Sequence, residues 1–349
     1  MFESFVQILT NPNFYSNVVA VTPPILLAAL GCAIAEKSNS TNMGMEGIML
    51  ISSLTGVLAS HYIGHNNAWL ELAVAILVGG LLGYLVAFFA LKLRVDIILV
   101  GIAMNLLGSG GTAFFMYVFT GDRSSTNSLQ TGTLPQINIP FIQDIPVIGK
   151  ILSGQNVLTY VSYIMILVLS YLVFKTRLGV RIRAVGENAN AAESVGISSV
   201  RIRTIALIIS GMLGGMAGAF MSSAYVSYFA KDITAGRGFI GLAACSMGGA
   251  NPVPTALTSI LFGFFYALSN FARNTGISDN LIKMWPYMAT IVGVVIYSIK
   301  KTNDEKRDWR VKPEKLSRKN TDIRNYTNKK AVFGPPFTTD VIKPFRRIQ

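Results

Sequence analysis

Eight stretches of this chain are apolar over lengths close to what a lipid bilayer demands, near residues 16–35, 44–60, 68–90, 97–119, 157–174, 203–224, 252–272 and 283–299. A helix that crosses the hydrocarbon core needs about 20 mostly apolar residues. Lipid offers no partners to unpaired backbone N–H and C=O groups, so such stretches are expected to be helices. Composition agrees with that reading. The 349 residues are 51% hydrophobic and 13% charged, whereas a soluble domain carries about 25% charged residues. The expected fold is therefore an all-α polytopic membrane protein. A ninth stretch, 238–250, is apolar but short and rich in Gly and Ala, which suits a half-helix, a re-entrant element or a tightly packed crossing.

The net charge of +13 raises nucleic-acid binding as a function class, so its placement matters. Residues 300–349 hold 15 of the 30 Lys and Arg, and Lys175 to Arg203 hold six more. Clusters at loop positions fit membrane topology better than a nucleic-acid face, because Lys and Arg gather on the cytoplasmic side. Lys92 and Arg94, the loop 175–202, and Lys300 with Lys301 are all expected in the cytoplasm. Placing them there requires an even number of crossings between each pair of regions, which makes 238–250 a crossing. The expectation is nine crossings, within a range of eight to ten, with the N-terminus outside and the C-terminus inside. Residues 1–15 then form an external or interfacial segment and 16–300 the transmembrane domain. Residues 301–349 form a basic, disordered cytoplasmic tail near anionic lipid. No cleavable signal peptide is expected, since the first 15 residues lack a basic n-region followed by a long apolar core.

Residues 210–219, SGMLGGMAGA, place Gly211, Gly215 and Ala219 on one helix face and Gly214 with Gly218 on the next. Small residues four apart let helix backbones approach closely, so these positions read as packing sites. The same pattern recurs at Gly79 and Gly83 and around Gly108 to Gly111. Polar groups at membrane depth are costly and face protein or water. Glu46 lies in the first turn of its span, where the macrodipole favours a carboxylate. Asn105 lies deeper, in GIAMNLLGSGG, and calls for a buried hydrogen bond or a substrate contact. Glu71 is expected at the external edge, solvated. His61 and His65 have no third ligand nearby, and Cys32 and Cys245 offer no metal spacing or disulfide framework, so no metal site is expected. No nucleophile elbow, paired carboxylates or Walker A sequence appears, so the chain is not expected to be an enzyme.

The loop RLGVRIRAVGENANAAESVGISSVRIR, residues 177–203, carries the most structure-bearing pattern. Arg177, Arg181 and Arg183 precede an expected turn at Gly186. Asn188 can cap a helix, the Ala-rich stretch 189–195 can form two turns, and Gly196 can supply the left-handed stop. So short a helix is marginal alone and calls for a surface to dock on.

Residues 177–197 resemble the coupling loop of ABC importer permeases, in the branched-chain amino acid, ribose and nucleoside permease family. That loop carries an E-x-x-x-A-A-x-x-x-G pattern, matched here by Glu187, Ala191, Ala192 and Gly196. NMGMEGIML (42–50), VGIAMNLLGSG (100–110) and TAGRGFIGLAACSMGGANP (234–252) extend the resemblance over about residues 16–300, and it is strongest to the simple-sugar and nucleoside permeases. Asp96, where a polar uncharged residue is common, and the long tail depart from the family pattern. The resemblance implies ATPase coupling through Arg183, Gly186, Glu187, Ala191, Ala192 and Gly196. It implies a translocation path that includes Glu46, Asn105, Gly238 and Phe239. The expected partners are two copies or domains of an ABC ATPase, a second permease subunit, an external substrate-binding lipoprotein and membrane lipid. No nucleic acid is among them. No cofactor is expected on this chain, ATP being hydrolysed by the partner. An ion-coupled secondary transporter and a membrane scaffold are the rival classes. Ribose and branched-chain amino acids are the rival cargoes to a nucleoside.

Overall fold

The computed structural model describes residues 12–129, 131–137, 149, 153–272 and, beyond them, 284, 287, 288, 290–295, 297–299 and 302. The expected N-terminal segment falls almost wholly outside these residues, as do the basic tail and part of the span 283–299. The chain divides into two units, Met1–Val294 and Val295–Gln349. In the second unit the described positions 295, 297–299 and 302 are helical. Everything that follows concerns the first.

Ten helices are described in it. They are α1 (Pro12–Lys37), α2 (Met45–Tyr62), α3 (Ala68–Ala87), α4 (Ile97–Thr120), α5 (Val157–Lys175), α6 (Arg177–Glu187), α7 (Ala189–Ser194), α8 (Ser199–Ala219), α9 (Arg237–Met247) and α10 (Pro252–Ala272). Helices α3 and α8 each continue through a π-helical turn, Phe88–Lys92 and Phe220–Tyr225. A two-residue antiparallel pairing of β1 (Gln136–Ile137) with β2 (Gln155–Asn156) closes the loop before α5. Six helices, α1, α3, α4, α5, α8 and α10 with their extensions, are long and apolar enough to cross a membrane. Local sequence sets where they begin. Asn67, Asp96, Asn156 and Ser198 cap α3, α4, α5 and α8, each side chain accepting from a backbone N–H of the first turn. Asp96, the departure from the family pattern, is thus the N-cap of α4, at 2.8 Å from the Ile98 nitrogen.

Helix α1 is the buried axis of the bundle, with α5, α8, α9 and α10 around it. Pro23 and Pro24 lie inside it, so the carbonyls one turn earlier lose their helical donors. The Tyr163 hydroxyl of α5 donates to one of them, Val19 O, at 3.5 Å. Helix α8 is held on two sides by small residues. A Cβ added at Gly211 would strike the backbone of Gly79, and one at Gly215 that of Ala75, both on α3. On the next face, a Cβ at Gly214 would come 2.7 Å from Met45 Sδ and one at Gly218 would strike Met49 O, both on α2. The two glycine faces therefore seat two different helices.

Among the described residues six helices are long and apolar enough to cross; the expected spans 44–60 and 238–250 are not among them, and 283–299 lies partly outside the described residues. Helix α2 starts beside Gly214, about 22 Å along α8 at 1.5 Å per residue. Residues 38–44 climb along α8 to reach that depth: Ser38 O accepts from Arg203 Nε at 3.2 Å, and Asn42 Nδ2 donates to Ser210 Oγ at 3.0 Å. Helix α9 has 11 residues, about 16 Å, roughly half of a hydrocarbon core. It starts against Glu46 and descends beside α1, with Gly241 packed on Ala28 and Ala29 and Cys245 Sγ donating to Glu36 at 3.0 Å. Both helices point their N-termini at the same interior level.

Candidate functional site

Two places in the fold bring polar residues together. The first is the interior junction where α2 and α9 begin. The orphan N–H groups of a helix's first turn need acceptors. For α2, Asn105 of α4 supplies one: its Oδ1 accepts from Gly47 N at 2.8 Å while its Nδ2 donates to Met43 O at 2.9 Å. Glu46, itself in the first turn of α2, crosses to the start of α9. Its Oε1 accepts from Gly236 N at 2.8 Å and from the Thr234 hydroxyl, and its Oε2 accepts from Gly238 N at 2.7 Å. Three donors and the N-terminal end of the α9 dipole thus converge on this side chain.

Gly238 is buried against Glu46, since a Cβ would come 2.7 Å from Glu46 N and Oε2. Phe239 turns the other way and is half exposed. Arg237 between them is buried, with its guanidinium carbon 4.4 Å from the Tyr266 ring centre and 5.6 Å from that of Tyr225. Sequence reasoning passed over Arg237, Thr234 and Tyr266. The available signal was an arginine inside an apolar run. Glu71 corrects an expectation. It is fully buried, with Ser222 donating to its Oε1 at 2.6 Å, because α2 and the end of α8 close over the first turn of α3.

The second place is the end of the bundle where the loop cations gather. Here the loop 177–203 is more helical than its glycines suggested. Gly186 is not a turn but part of α6, where a Cβ would strike Lys37 O at the end of α1. Thr176 caps α6. Asn188 accepts from Ala191 N at 3.1 Å to start α7, and Gly196 ends it at φ +83° with open space around it. Ile182, Val185 and Ala192 turn inward and are buried, whereas Glu187, Ala191 and Gly196 are exposed. Ala192 therefore packs on its own bundle. Arg183 is half buried, its guanidinium carbon 5.5 Å from the Phe174 ring centre. Val195, 74% exposed, stands out from the same turn. Beside it a cavity of about 310 Å³ is lined by Arg181, Gly196, Ser198 and Arg201.

A bundle of long apolar helices with an interior junction and a capped surface helix at its cationic end defines a multi-pass membrane protein. Residues 14–299 match the family model described as branched-chain amino acid transport system / permease component. The chain belongs to that family. Among curated relatives, it is 33% identical to the nucleoside ABC transporter permease protein NupC of Lactococcus lactis, over 81% of this chain and 91% of the relative. It is 33% identical to the guanosine ABC transporter permease protein NupQ of Bacillus subtilis, over 78% of this chain and 87% of the relative. The ribose import permease protein RbsC of Escherichia coli is similar at 24% identity, over 85% and 88%.

Proposed function

We propose that this chain is the permease subunit of an ATP-driven importer that carries a nucleoside inward across the plasma membrane. Membership of the permease family supports the class, and the relatives at 33% identity are permeases named for nucleosides and guanosine. The chain crosses the membrane nine times, counting α2 and α9 as broken crossings completed by residues 38–44 and 226–236. The N-terminus lies outside and the cationic end inside, following the placement of Lys and Arg. Glu46, Asn105, Gly238 and Phe239 border the path. A second permease subunit completes it, an external lipoprotein delivers the cargo, and two ATPase subunits or domains drive it.

The observation that carries the coupling is α7. It is a six-residue helix capped at both ends, with Ala191 exposed on it and Glu187 and Gly196 exposed on either side; α6, which leads into it, is braced through Gly186 on the end of α1. Force applied there reaches the buried axis of the bundle directly. The test is purification from detergent followed by uptake. The wild-type protein is expected to carry an ATPase subunit with it, and Glu187→Ala with Gly196→Ala to lower nucleoside uptake at least tenfold while the protein still inserts. Absence of any ATPase subunit, together with untouched uptake in the double variant, refutes the proposal.

A further inference from the structure

Arg237 is a charge buried in the first turn of α9. Its residue surface is 4% exposed, and its hydrogen bonds run from Nη1 to the carbonyls of Ile233 at 3.3 Å and Thr234 at 3.2 Å. Its Nε is buried with no acceptor among the described residues. The hydrogen bonds of Glu46 go to Thr234, Gly236 and Gly238, not to this guanidinium. A buried guanidinium with an unmet donor is costly, and ionisable groups within transmembrane segments mark the paths of substrates and ions. Around it stand aromatic faces. Tyr266 and Tyr225 flank the guanidinium. Tyr287 holds the turn before α9 by donating to Ala235 O at 2.7 Å. Tyr225 and Tyr287 are each 42% exposed, so the cluster has an open side.

We infer that Arg237, with Tyr225 and Tyr266, forms the base-recognition site for a 6-oxopurine nucleoside on its way through the bundle. This rests on the nucleoside reading above and adds which base and which residues. With Nη1 engaged by backbone, the edge of the guanidinium formed by Nε–H and Nη2–H presents two parallel donors. Two adjacent acceptors match that edge, and a 6-oxopurine offers O6 and N7 side by side. Adenine sets an amino donor beside N7 and opposes one of the two N–H groups. The tyrosine rings supply the stacking surface, which every base can use, so the rings select for a base and the arginine for its edge. The Nε–H of that edge is buried in this conformation, and the base approaches it from the open side at Tyr225 and Tyr287.

The experiment is uptake of radiolabelled guanosine, inosine, adenosine and uridine by the whole complex, with its ATPase and its external lipoprotein, in proteoliposomes. The wild type is expected to take guanosine and inosine with a lower KM than adenosine. Arg237→Lys keeps the charge and loses the paired donors, so the KM for guanosine should rise about tenfold and that for uridine less than twofold. Tyr266→Leu should weaken uptake of every base, and Tyr266→Phe should restore it. A guanosine-to-adenosine ratio unchanged in Arg237→Lys, or an equal loss for all four nucleosides, overturns the site and leaves the importer reading intact. A wild-type complex that moves none of the four overturns both. If Arg237→Lys fails to insert, the Tyr266→Leu and Tyr266→Phe pair decides: equal uptake in the two refutes the stacking surface.

Discussion

At the junction of α2 and α9 one carboxylate satisfies three donors. Removing it leaves the buried Gly238 N and Thr234 hydroxyl and the half-buried Gly236 N without an acceptor. Each unmet buried donor costs about 1–3 kcal/mol, so Glu46→Ala should destabilise the purified protein by on the order of 3 kcal/mol. Thr234→Val removes a donor together with its need and should cost about 1 kcal/mol. Thermal unfolding of both variants in detergent checks the order; equal stability of Glu46→Ala and wild type would refute the account of the junction. Glu46 and Asn105 were legible in the sequence as polar residues in apolar spans, because lipid makes such residues conspicuous. Their partners were not. Gly236 and Gly238 lie roughly 190 residues further along the chain, and a backbone N–H leaves no trace in a sequence. Glu71 was misplaced for the same reason. Its position near a helix start suggested water, but whether the end of another helix closes over it is a matter of packing.

For whole helices, the apolar runs and capping residues located most elements to within a few residues, and the two ends of α7 follow from Asn188 and Gly196. The runs failed where a helix starts inside the bundle. An 18-residue apolar helix reads as a crossing, and only its contact with Gly214 shows that it begins partway along α8. Gly186 failed differently. A glycine marks a turn or a close approach, and here the carbonyl of Lys37 makes it the second. Close approach also yields a prediction for α8. Gly215→Val must push α3 away or strain the backbone, since its Cβ would strike Ala75 O. Overpacking of this kind costs about 1–3 kcal/mol. The variant should melt measurably below wild type, whereas Gly111→Val on α4, where a Cβ has only Leu107 Cδ1 near it at 3.9 Å, should not. The melting temperatures of the two in one detergent make the comparison, and equal values would contradict the packing.

Across the molecule, the structure joins the two sites by a short mechanical route. The exposed turn of α7 leads to α6, α6 packs through Gly186 on the end of α1, and α1 runs beside α9 up to the junction held by Glu46. A push on α7 is therefore a push on the buried axis and on the half-helix beside it. The most direct test is a crosslink from α7 itself. Both native cysteines, Cys32 and Cys245, are free and buried, so Ala191→Cys, added after both are replaced by alanine, gives a single exposed thiol. Reacted in native membranes with a short thiol-to-amine crosslinker, it is predicted to yield one adduct whose second chain is an ATP-hydrolysing subunit, with transport lost on crosslinking. A thiol that reacts freely with small reagents yet yields no adduct with an ATPase would contradict the account.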